Sequence, residues 1–378
     1  MKVLILSYFF PPCTSGAGAV MYDLCTALPR SSYYVLTVRR EFCIKWGAYD
    51  ENYQVDCDMQ RLPVYTDSTL SRTVFFFLAI LQGWRIIRKK KVDSIFAVYP
   101  FITDVLAAYI LSRLTRKPFV VQMHDVFSEK KNGLSKTIWE IVEKSVLSKA
   151  SRTLVMTEFM KGYFSRKGIP NTVVFPTPID QTKINSPSQS RTQEDNRSLK
   201  IVFTGQVYKV NESAIRAFLD AVKGLDNLKI MFALASADHL RQDLKDYLKD
   251  VNVGSLTKEK CRQLQRSADV LFLPGSPEVW YNSLCYPCKV NEYLLAGKPI
   301  LAVIPRGSYI EHFLKKYDLG VIVTVHSAER IVTAVEELRD HEKREHFSRN
   351  ALRTAQLFDA RKVGKQLCVL LEDVACKS

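Results

Sequence analysis

Short runs of apolar residues alternate with longer helix-forming segments along the whole chain, and this alternation limits the fold more than any other feature. In the first half the runs are VLILSYF near the start, YYVLTV at 33–38, SIFAVY at 94–99, FVVQMH at 119–124 and RTLVMT at 152–157. Continuous apolar runs are typical of strands covered on both faces, and the segments between them have the length of crossover helices. The first half is therefore predicted to form a parallel α/β sheet.

The second half repeats this plan after a polar interruption. Residues 181–199 are rich in Ser, Gln, Asn and charged groups, as expected of a linker. A chain of 378 residues also exceeds the usual size of one hydrophobic core. We predict a Rossmann-like domain over 1–180, a linker over 181–199, a second Rossmann-like domain over 200–358, and a helix over about 359–378 that packs back on the first domain. Two facing sheets of this kind would form an interdomain cleft lined by loops at the carboxyl ends of their strands.

The chain is strongly basic, with 54 Lys and Arg residues against 39 Asp and Glu residues and a formal net charge of +15. This charge indicates an anionic partner, for which nucleic acid, anionic lipid and phosphorylated substrates are candidates. Nucleic acid is disfavoured because no recognised binding module or basic tail accompanies the charge.

The segment 74–91 joins an apolar, aromatic run to a cluster of basic residues. Trp84 stands at the junction, and the basic residues are Arg85, Arg88, Lys89, Lys90 and Lys91. This order is typical of an interfacial membrane helix, and a core helix with a solvated basic end fits it equally well. The apolar stretch Val74–Ile87 is shorter than the roughly 18 residues that a spanning helix needs, so no transmembrane segment is expected.

The nine cysteines are scattered, and their odd number indicates a reducing compartment. Only Cys285 and Cys288 approach a metal-binding or redox spacing, and no second ligand pair accompanies them. The first residues, MKVLILSYFF, meet two prolines instead of a cleavage site and read as a buried strand. A cytoplasmic protein is expected.

The segment 288–305, CKVNEYLLAGKPILAVIP, preceded by Pro287, is the most informative part of the sequence. It resembles the donor-binding helix and the following strand of glycosyltransferase family 4. In that pattern a lysine, here Lys289, is followed after three residues by a glutamate, here Glu292, and then by Tyr-Leu, Gly-Lys-Pro and a buried strand. A carboxylate at the start of a helix can accept hydrogen bonds from both hydroxyls of a ribose, and the nearby lysine can approach the donor phosphates. A capping glutamate and a surface lysine are the structural alternative.

The resemblance implies further donor-binding residues around glycine turns. In the segment VFTGQVYKVNE the strand ends at Gly205, and many family members carry an arginine next and a lysine further on, where this chain has Gln206 and Asn211. Lys209 is the candidate for the basic residue that approaches the diphosphate. An ordinary strand-to-helix turn with a solvent lysine is the alternative. Near the N-terminus, Gly16 and Gly18 resemble the family's glycine-rich loop, whose amides approach the donor phosphate.

His124 follows the strand FVVQM at a position where family members commonly carry a histidine. There it could contact the transferring sugar, and a structural histidine is the alternative. One feature of the family is missing, because an earlier glutamate eight residues before the ribose-binding one is Leu284 in this chain. Glu278 lies in the same loop at a different spacing.

These features together imply the GT-B fold, with an acceptor-binding first domain and a nucleotide-sugar-binding second domain. The expected reaction moves a sugar, with retention, from a UDP- or GDP-sugar to an acceptor hydroxyl of a lipid-linked or cell-surface polysaccharide intermediate. His124 and Glu292 are the candidate catalytic residues, and no metal is expected because such folds generally work without one. The expected location is the inner face of the membrane, reached through segment 74–91. A nucleotide-sugar 2-epimerase, a catalytically silent binding partner of another transferase and, less favoured, a nucleic-acid-binding protein are the alternatives.

Overall fold

A computed structural model describes residues 1–45, 49–66, 68–99, 101–126, 128–183, 198–234, 240–325 and 327–377. The chain divides into two compact units. The first comprises Met1–Pro178 and Phe358–Ser378, and the second comprises Ile179–Leu357. Most of the predicted linker, 184–197, lies outside the described residues.

The first unit is built on a seven-stranded parallel sheet in the order β3-β2-β1-β4-β5-β6-β7. Because the order reverses at β1, the sheet is doubly wound. Strands β1, β4 and β5 are buried along their whole length, as their continuous apolar runs predict. The strand bounds are β1 (Val3–Ser7), β2 (Tyr33–Val38), β3 (Asp58–Leu62), β4 (Ser94–Val98), β5 (Phe119–Met123), β6 (Arg152–Val155) and β7 (Thr172–Val174).

Helices cover both faces of this sheet. Right-handed crossovers place α1 on one face and α3, α4 and α5 on the other, and α3 packs against α4, which packs against α5. The C-terminal helix α14 returns to the first unit, where it packs beside α1 and joins its core. The helices are α1 (Gly16–Cys25), α2 (Arg40–Lys45), α3 (Thr69–Lys90), α4 (Ile102–Thr115), α5 (Gly133–Leu147), α6 (Glu158–Arg166) and α14 (Ala360–Cys376).

Helix α3 is buried along one side only. Phe75, Ala79, Gly83 and Ile87, spaced four residues apart, form its buried side. A Cβ on Gly83 would lie 2.6 Å from a side-chain carbon of Leu111 in α4, so this glycine allows the two helices to pack closely.

The opposite side of α3 is apolar and exposed. Within the described ranges, α3 is the one helix long and apolar enough to cross a membrane by length and composition: it has 22 residues, and its best window has a mean hydropathy of 1.3 and is 22% buried. This differs from the expectation drawn from Val74–Ile87, because the helix extends beyond that run at both ends.

The second unit contains a five-stranded parallel sheet in the order β12-β11-β10-β8-β9. Phe218 of the first connecting helix stacks on Phe272 in the sheet, with ring centroids 4.2 Å apart. The strands are β8 (Leu199–Gly205), β9 (Leu228–Leu234), β10 (Val270–Pro274), β11 (Ile300–Val303) and β12 (Gly320–Val323). The helices are α7 (Glu212–Val222), α8 (Gln242–Leu248), α9 (Lys258–Arg266), α10 (Lys289–Ala296), α11 (Tyr309–Tyr317), α12 (Ala328–Glu337) and α13 (His341–Leu357).

Candidate functional site

The site in the second unit lies where neighbouring strands β8 and β10 lead into diverging loops. Strand order reverses here, and the crevice beyond such a reversal is where doubly wound sheets bind ligands. Strand β8 ends at Gly205, and the chain after β10 returns to the sheet as helix α10, which begins at Lys289. The two segments that the sequence singled out therefore meet at one edge of the sheet.

Lys289 packs directly against the end of β8. Its Nζ lies 3.7 Å from the ring centroid of Phe203, and a Cβ on Gly205 would lie 2.7 Å from the same nitrogen. Burial lowers the pKa of Lys289 to about 7, Glu292 opposes this shift and Lys258 reinforces it. Near pH 7 about half of the Lys289 side chains are therefore protonated, and a phosphate anion bound beside the glycine turn would favour the ammonium form.

Gly205 has two reasons to be glycine. Its φ of +126° is one that L side chains rarely adopt, and the space for a Cβ is filled by Lys289. We predict that Gly205→Ala costs about 2–4 kcal/mol of unfolding free energy, measured by urea denaturation, from backbone strain and the displaced lysine. Gly224→Ala is the control, since Gly224 also has positive φ but nothing within 4 Å of its Cβ position. An equal cost for both variants would show that the lysine contact is unimportant.

Glu292 is held as an ionised carboxylate by two side chains of α9. Lys258 donates to Oε1, and Nε2 of Gln265 donates to Oε2 at 3.0 Å. Burial by itself would raise the pKa of Glu292, but Lys258, Gln265 and Lys289 together lower it to about 2. The side chain is still 30% exposed, so a ligand can reach it. Each oxygen has a remaining lone pair with which to accept a hydroxyl hydrogen.

Sequence reasoning missed both partners of Glu292. Lys258 and Gln265 are seven residues apart and therefore lie on one face of α9, two turns from each other. Gln265 also donates to Thr204 Oγ1 at 2.7 Å, which ties the carboxylate to the end of β8. The sequence does contain a signal for these two partners, namely a lysine and a glutamine seven residues apart on a predicted helix.

The loop after β8 is shaped by Asn211. Its side chain accepts from the Tyr208 amide at 2.8 Å and donates to the carbonyl oxygen of Gln206 at 3.2 Å. Asn211, which replaces a lysine of many family members, thus has a structural role here. Lys209 is exposed and makes no hydrogen bond or ion pair with any residue that the structure describes, Glu292 included.

The loop after β10 is fastened to the loop after β8 by Ser276. The Ser276 amide donates to the Val210 carbonyl at 2.7 Å, and its hydroxyl oxygen accepts from the Ser213 amide at 3.1 Å. Glu278 accepts from the Ser213 hydroxyl at 2.9 Å and so faces the start of α7. Leu284, at the position of the missing family glutamate, lies in a 3₁₀ turn over Trp280–Leu284.

The predicted glycines of the first unit lie in the first turn of α1 and differ in environment. Gly16 is exposed, whereas Gly18 is buried and its Cβ position lies 2.2 Å from the Cys13 carbonyl oxygen. The Gly18 amide donates to Ser15 Oγ at 3.4 Å. Gly18 therefore allows close packing of the preceding loop, and Gly16 is the glycine that remains open to a ligand.

His124 lies directly after β5 and is almost fully buried. Its Nε2 has no hydrogen-bond partner among the described residues, and neither amide atom of Gln122, two residues earlier, has one. Burial lowers the pKa of His124 to about 4, although Asp125 opposes the shift. The imidazole is therefore neutral near pH 7 and can act through hydrogen bonding but not as a cation. Gln122 was not singled out from the sequence because it lies within an apolar run.

Comparisons with known proteins agree with this architecture. Residues 15–179 match the family described as glycosyl transferase 4-like domain. Sucrose-phosphate synthase of Thermosynechococcus elongatus is 14% identical with a TM-score of 0.76, and the match covers 100% of both chains. HepE of Anabaena, solved with UDP-glucose, is 16% identical with a TM-score of 0.73, covering 99% of this chain and 100% of HepE. A putative UDP-N-acetylglucosamine 2-epimerase of Listeria monocytogenes is 11% identical with a TM-score of 0.65, covering 100% and 97%. No curated protein matches the chain.

The chain has the GT-B fold of these solved structures, and residues 15–179 match the glycosyl transferase 4-like family. The predicted resemblance and the predicted fold class are both confirmed.

Proposed function

We propose that the protein transfers a sugar from a nucleoside diphosphate sugar to an acceptor hydroxyl, with the donor bound by the second unit. The observation that carries this proposal is the ionised carboxylate of Glu292, held by Lys258 and Gln265, one helical turn from the partly buried amino group of Lys289 at the end of β8. A fixed carboxylate suits the two hydroxyls of a ribose, and a desolvated cation suits the diphosphate. The ribose and the diphosphate of the donor thereby each have a side chain suited to bind them.

The residues have distinct proposed roles. Glu292 orients the nucleoside, and Lys289 offsets the negative charge that grows on the diphosphate as it leaves. Gly205 and Gln206 present backbone at the same edge of the sheet, and Lys209 can add a flexible cation. In the first unit, Gly16 and Gly18 remain the proposed glycine loop, and neutral His124 is proposed to hydrogen-bond the sugar. Retention at the anomeric carbon is proposed from the family resemblance.

A UDP-sugar is the first donor to test, because HepE was solved with UDP-glucose. A ligand that binds only the folded state raises the melting temperature according to its affinity and concentration. A thermal-shift screen over UDP-, GDP-, ADP- and CMP-sugars therefore tests the proposal directly. Stabilisation by one class identifies the donor base, and no stabilisation by any of them contradicts the proposed function.

A nucleotide-sugar 2-epimerase remains the second candidate, because a putative epimerase shares the overall fold. Its TM-score of 0.65 is lower than the 0.76 and 0.73 of the synthase and HepE. The two activities separate cleanly in an assay, since a transferase releases free nucleotide only when acceptor is present, whereas an epimerase changes the sugar and releases none. Donor binding without either outcome would favour a silent binding partner.

Activity is predicted to be independent of a divalent metal. In the proposed donor complex, Lys289 beside Gly205 supplies the positive charge that a metal ion would otherwise supply, and the family resemblance supports metal-free catalysis. Adding EDTA should therefore leave the initial rate of sugar transfer unchanged. Loss of activity with EDTA, followed by recovery with Mn²⁺, would contradict this prediction.

We propose a lipid-linked glycan as the acceptor and the inner face of the membrane as the location, as in polysaccharide biosynthesis. The support is the exposed side of α3, where Leu70, Val74, Phe77, Leu81 and Trp84 form one stripe at alternating spacings of four and three residues. Arg88 continues the stripe, with its guanidinium carbon 4.8 Å from the Trp84 ring centroid. An aromatic residue followed by cations is suited to the boundary between acyl chains and anionic headgroups.

A further inference from the structure

The exposed apolar stripe of α3 has a counterpart on α5. Leu134, Ile138 and Ile141 follow the spacing of four and three residues, and all three are more than half exposed, at 77%, 51% and 62%. The opposite side of α5 is buried through residues such as Val146 and Leu147. Both helices therefore turn one side to the protein and present an apolar side to the surroundings.

The two stripes belong to one layer. Helices α3, α4 and α5 cover the same face of the first sheet and pack in that order. With helices about 8–10 Å apart, the two stripes run side by side roughly 20 Å from each other. With a single stripe in contact, the unit could still rotate about the helix axis on a flat surface. Two stripes side by side would fix its orientation on that surface.

One end of this layer is a basic rim, defined as residues 85–91, 113–117 and 144–149 at the C-terminal ends of the three helices. All three run antiparallel to the strands, so their C-termini lie at the same edge. The rim contains five basic residues from α3, three from α4 and two from α5, and these stretches contain no acidic residue. Lys90 forms an ion pair with Asp58, with Nζ and Oδ2 3.5 Å apart. Lys90 and Lys117 are partly buried, and the other eight basic residues of the rim are exposed. The ten are Arg85, Arg88, Lys89, Lys90, Lys91, Arg113, Arg116, Lys117, Lys144 and Lys149.

We infer that α3, α4 and α5 form a single docking face for an anionic lipid bilayer, with α5 as a second point of insertion. The inference rests on the membrane association proposed above and adds an orientation. Apolar stripes bordered by cations match acyl chains bordered by anionic headgroups. Because the stripes begin at Leu70 and Leu134, near the carboxyl ends of the strands, the layer lies flat on the bilayer and keeps that edge of the sheet within reach of a lipid-linked substrate.

Flotation of the full chain with vesicles of phosphatidylcholine, with and without phosphatidylserine, tests this face. We expect Ile138→Ser/Ile141→Ser to lower the partition coefficient on anionic vesicles about tenfold, because two apolar side chains no longer insert. The control is Ile44→Ser/Val369→Ser on α2 and α14, two exposed apolar residues of matching exposure, at 55% and 65%. Arg113→Gln/Arg116→Gln should lower binding about fivefold per residue, on anionic vesicles alone.

A parallel variant of α3, Phe77→Ser/Leu81→Ser, separates this inference from the proposed function. If the α3 variant loses binding and the α5 variant floats like the native protein, the second contact is wrong and the membrane proposal stands. If the native protein does not float, both are wrong, while donor stabilisation still tests the transferase proposal independently. The α5 variant could float with vesicles like the native protein and yet no longer bind to cell membranes. That result would assign the face to a protein partner and overturn the lipid assignment. Unchanged melting temperatures confirm that the variants are folded.

Discussion

Replacing Glu292 with alanine is expected to lower kcat/KM for the sugar donor by a factor of about 100 or more. The variant loses two charge-assisted hydrogen bonds to the ribose, each worth about 1.5–3 kcal/mol. The effect should appear as weaker binding of the nucleotide alone, measured by calorimetry, because the contact is made to a part of the donor that does not react.

A 2′,3′-dideoxy nucleotide identifies the contact itself. The native protein should bind this analogue far more weakly than the parent nucleotide, whereas Glu292→Ala should bind both about equally. Glu259→Ala is the matched control, since Glu259 is an exposed glutamate on α9 that pairs with Arg262. An alanine variant that still distinguishes the two nucleotides would remove Glu292 from the ribose site.

Lys258 provides a graded version of this test. It is a positioning residue, because its proposed effect acts through Glu292. Lys258→Met leaves the hydrogen bond from Gln265 in place and should therefore cost less than Glu292→Ala. It should also lessen the discrimination between the two nucleotides, which a purely structural lysine would not affect.

Much of the fold could be predicted because strands buried on both faces have a distinctive sequence. The runs at β1, β4, β5 and β10 are continuous and apolar, and each is a central strand. Strand β3, DMQRL, was not predicted, because it lies at the edge of the sheet and its residues are mostly partly or fully exposed. Helix α13 was also not singled out, since its sequence is highly charged and only a few residues are buried.

The candidate site could be predicted only where a residue belongs to a continuous motif. Lys289 and Glu292 lie in one segment with a recognisable pattern, whereas Lys258 and Gln265 reach Glu292 from another helix more than 25 positions away. Such a contact depends on how two helices cross, which spacing within either helix does not reveal. Lys209 is the opposite case. Its place in the sequence favours a role at the diphosphate, but its side chain is exposed, and mutation is needed to test that role.

Donor binding is expected to weaken by a factor of about 20 between pH 6.5 and pH 8.5, because Lys289 loses its proton in the free protein. The pKa of Lys289 is about 7, and a bound diphosphate raises it by stabilising the ammonium. The neighbouring groups do not titrate in this range: the pKa of Glu292 is about 2, and the pKa values of Lys258 and Cys261 are raised above their ordinary values. An intact nucleotide sugar suits the measurement, since its diphosphate keeps a constant charge.

Lys289→Arg is the decisive variant, because a guanidinium stays protonated throughout and should abolish the pH dependence. Lys289→Met should bind weakly at every pH.

The stability of the folded protein should follow the opposite pH trend to donor binding, because the folded-state pKa of Lys289 lies below the ordinary value of 10.5. The unfolded chain then binds more protons between about pH 7 and 10.5, so this lysine's contribution makes folding more favourable as pH rises. If donor binding weakens with rising pH while stability does not fall, deprotonation of Lys289 is the cause and general unfolding is not. If the native protein binds the donor equally well at every pH, Lys289 does not belong to the phosphate site.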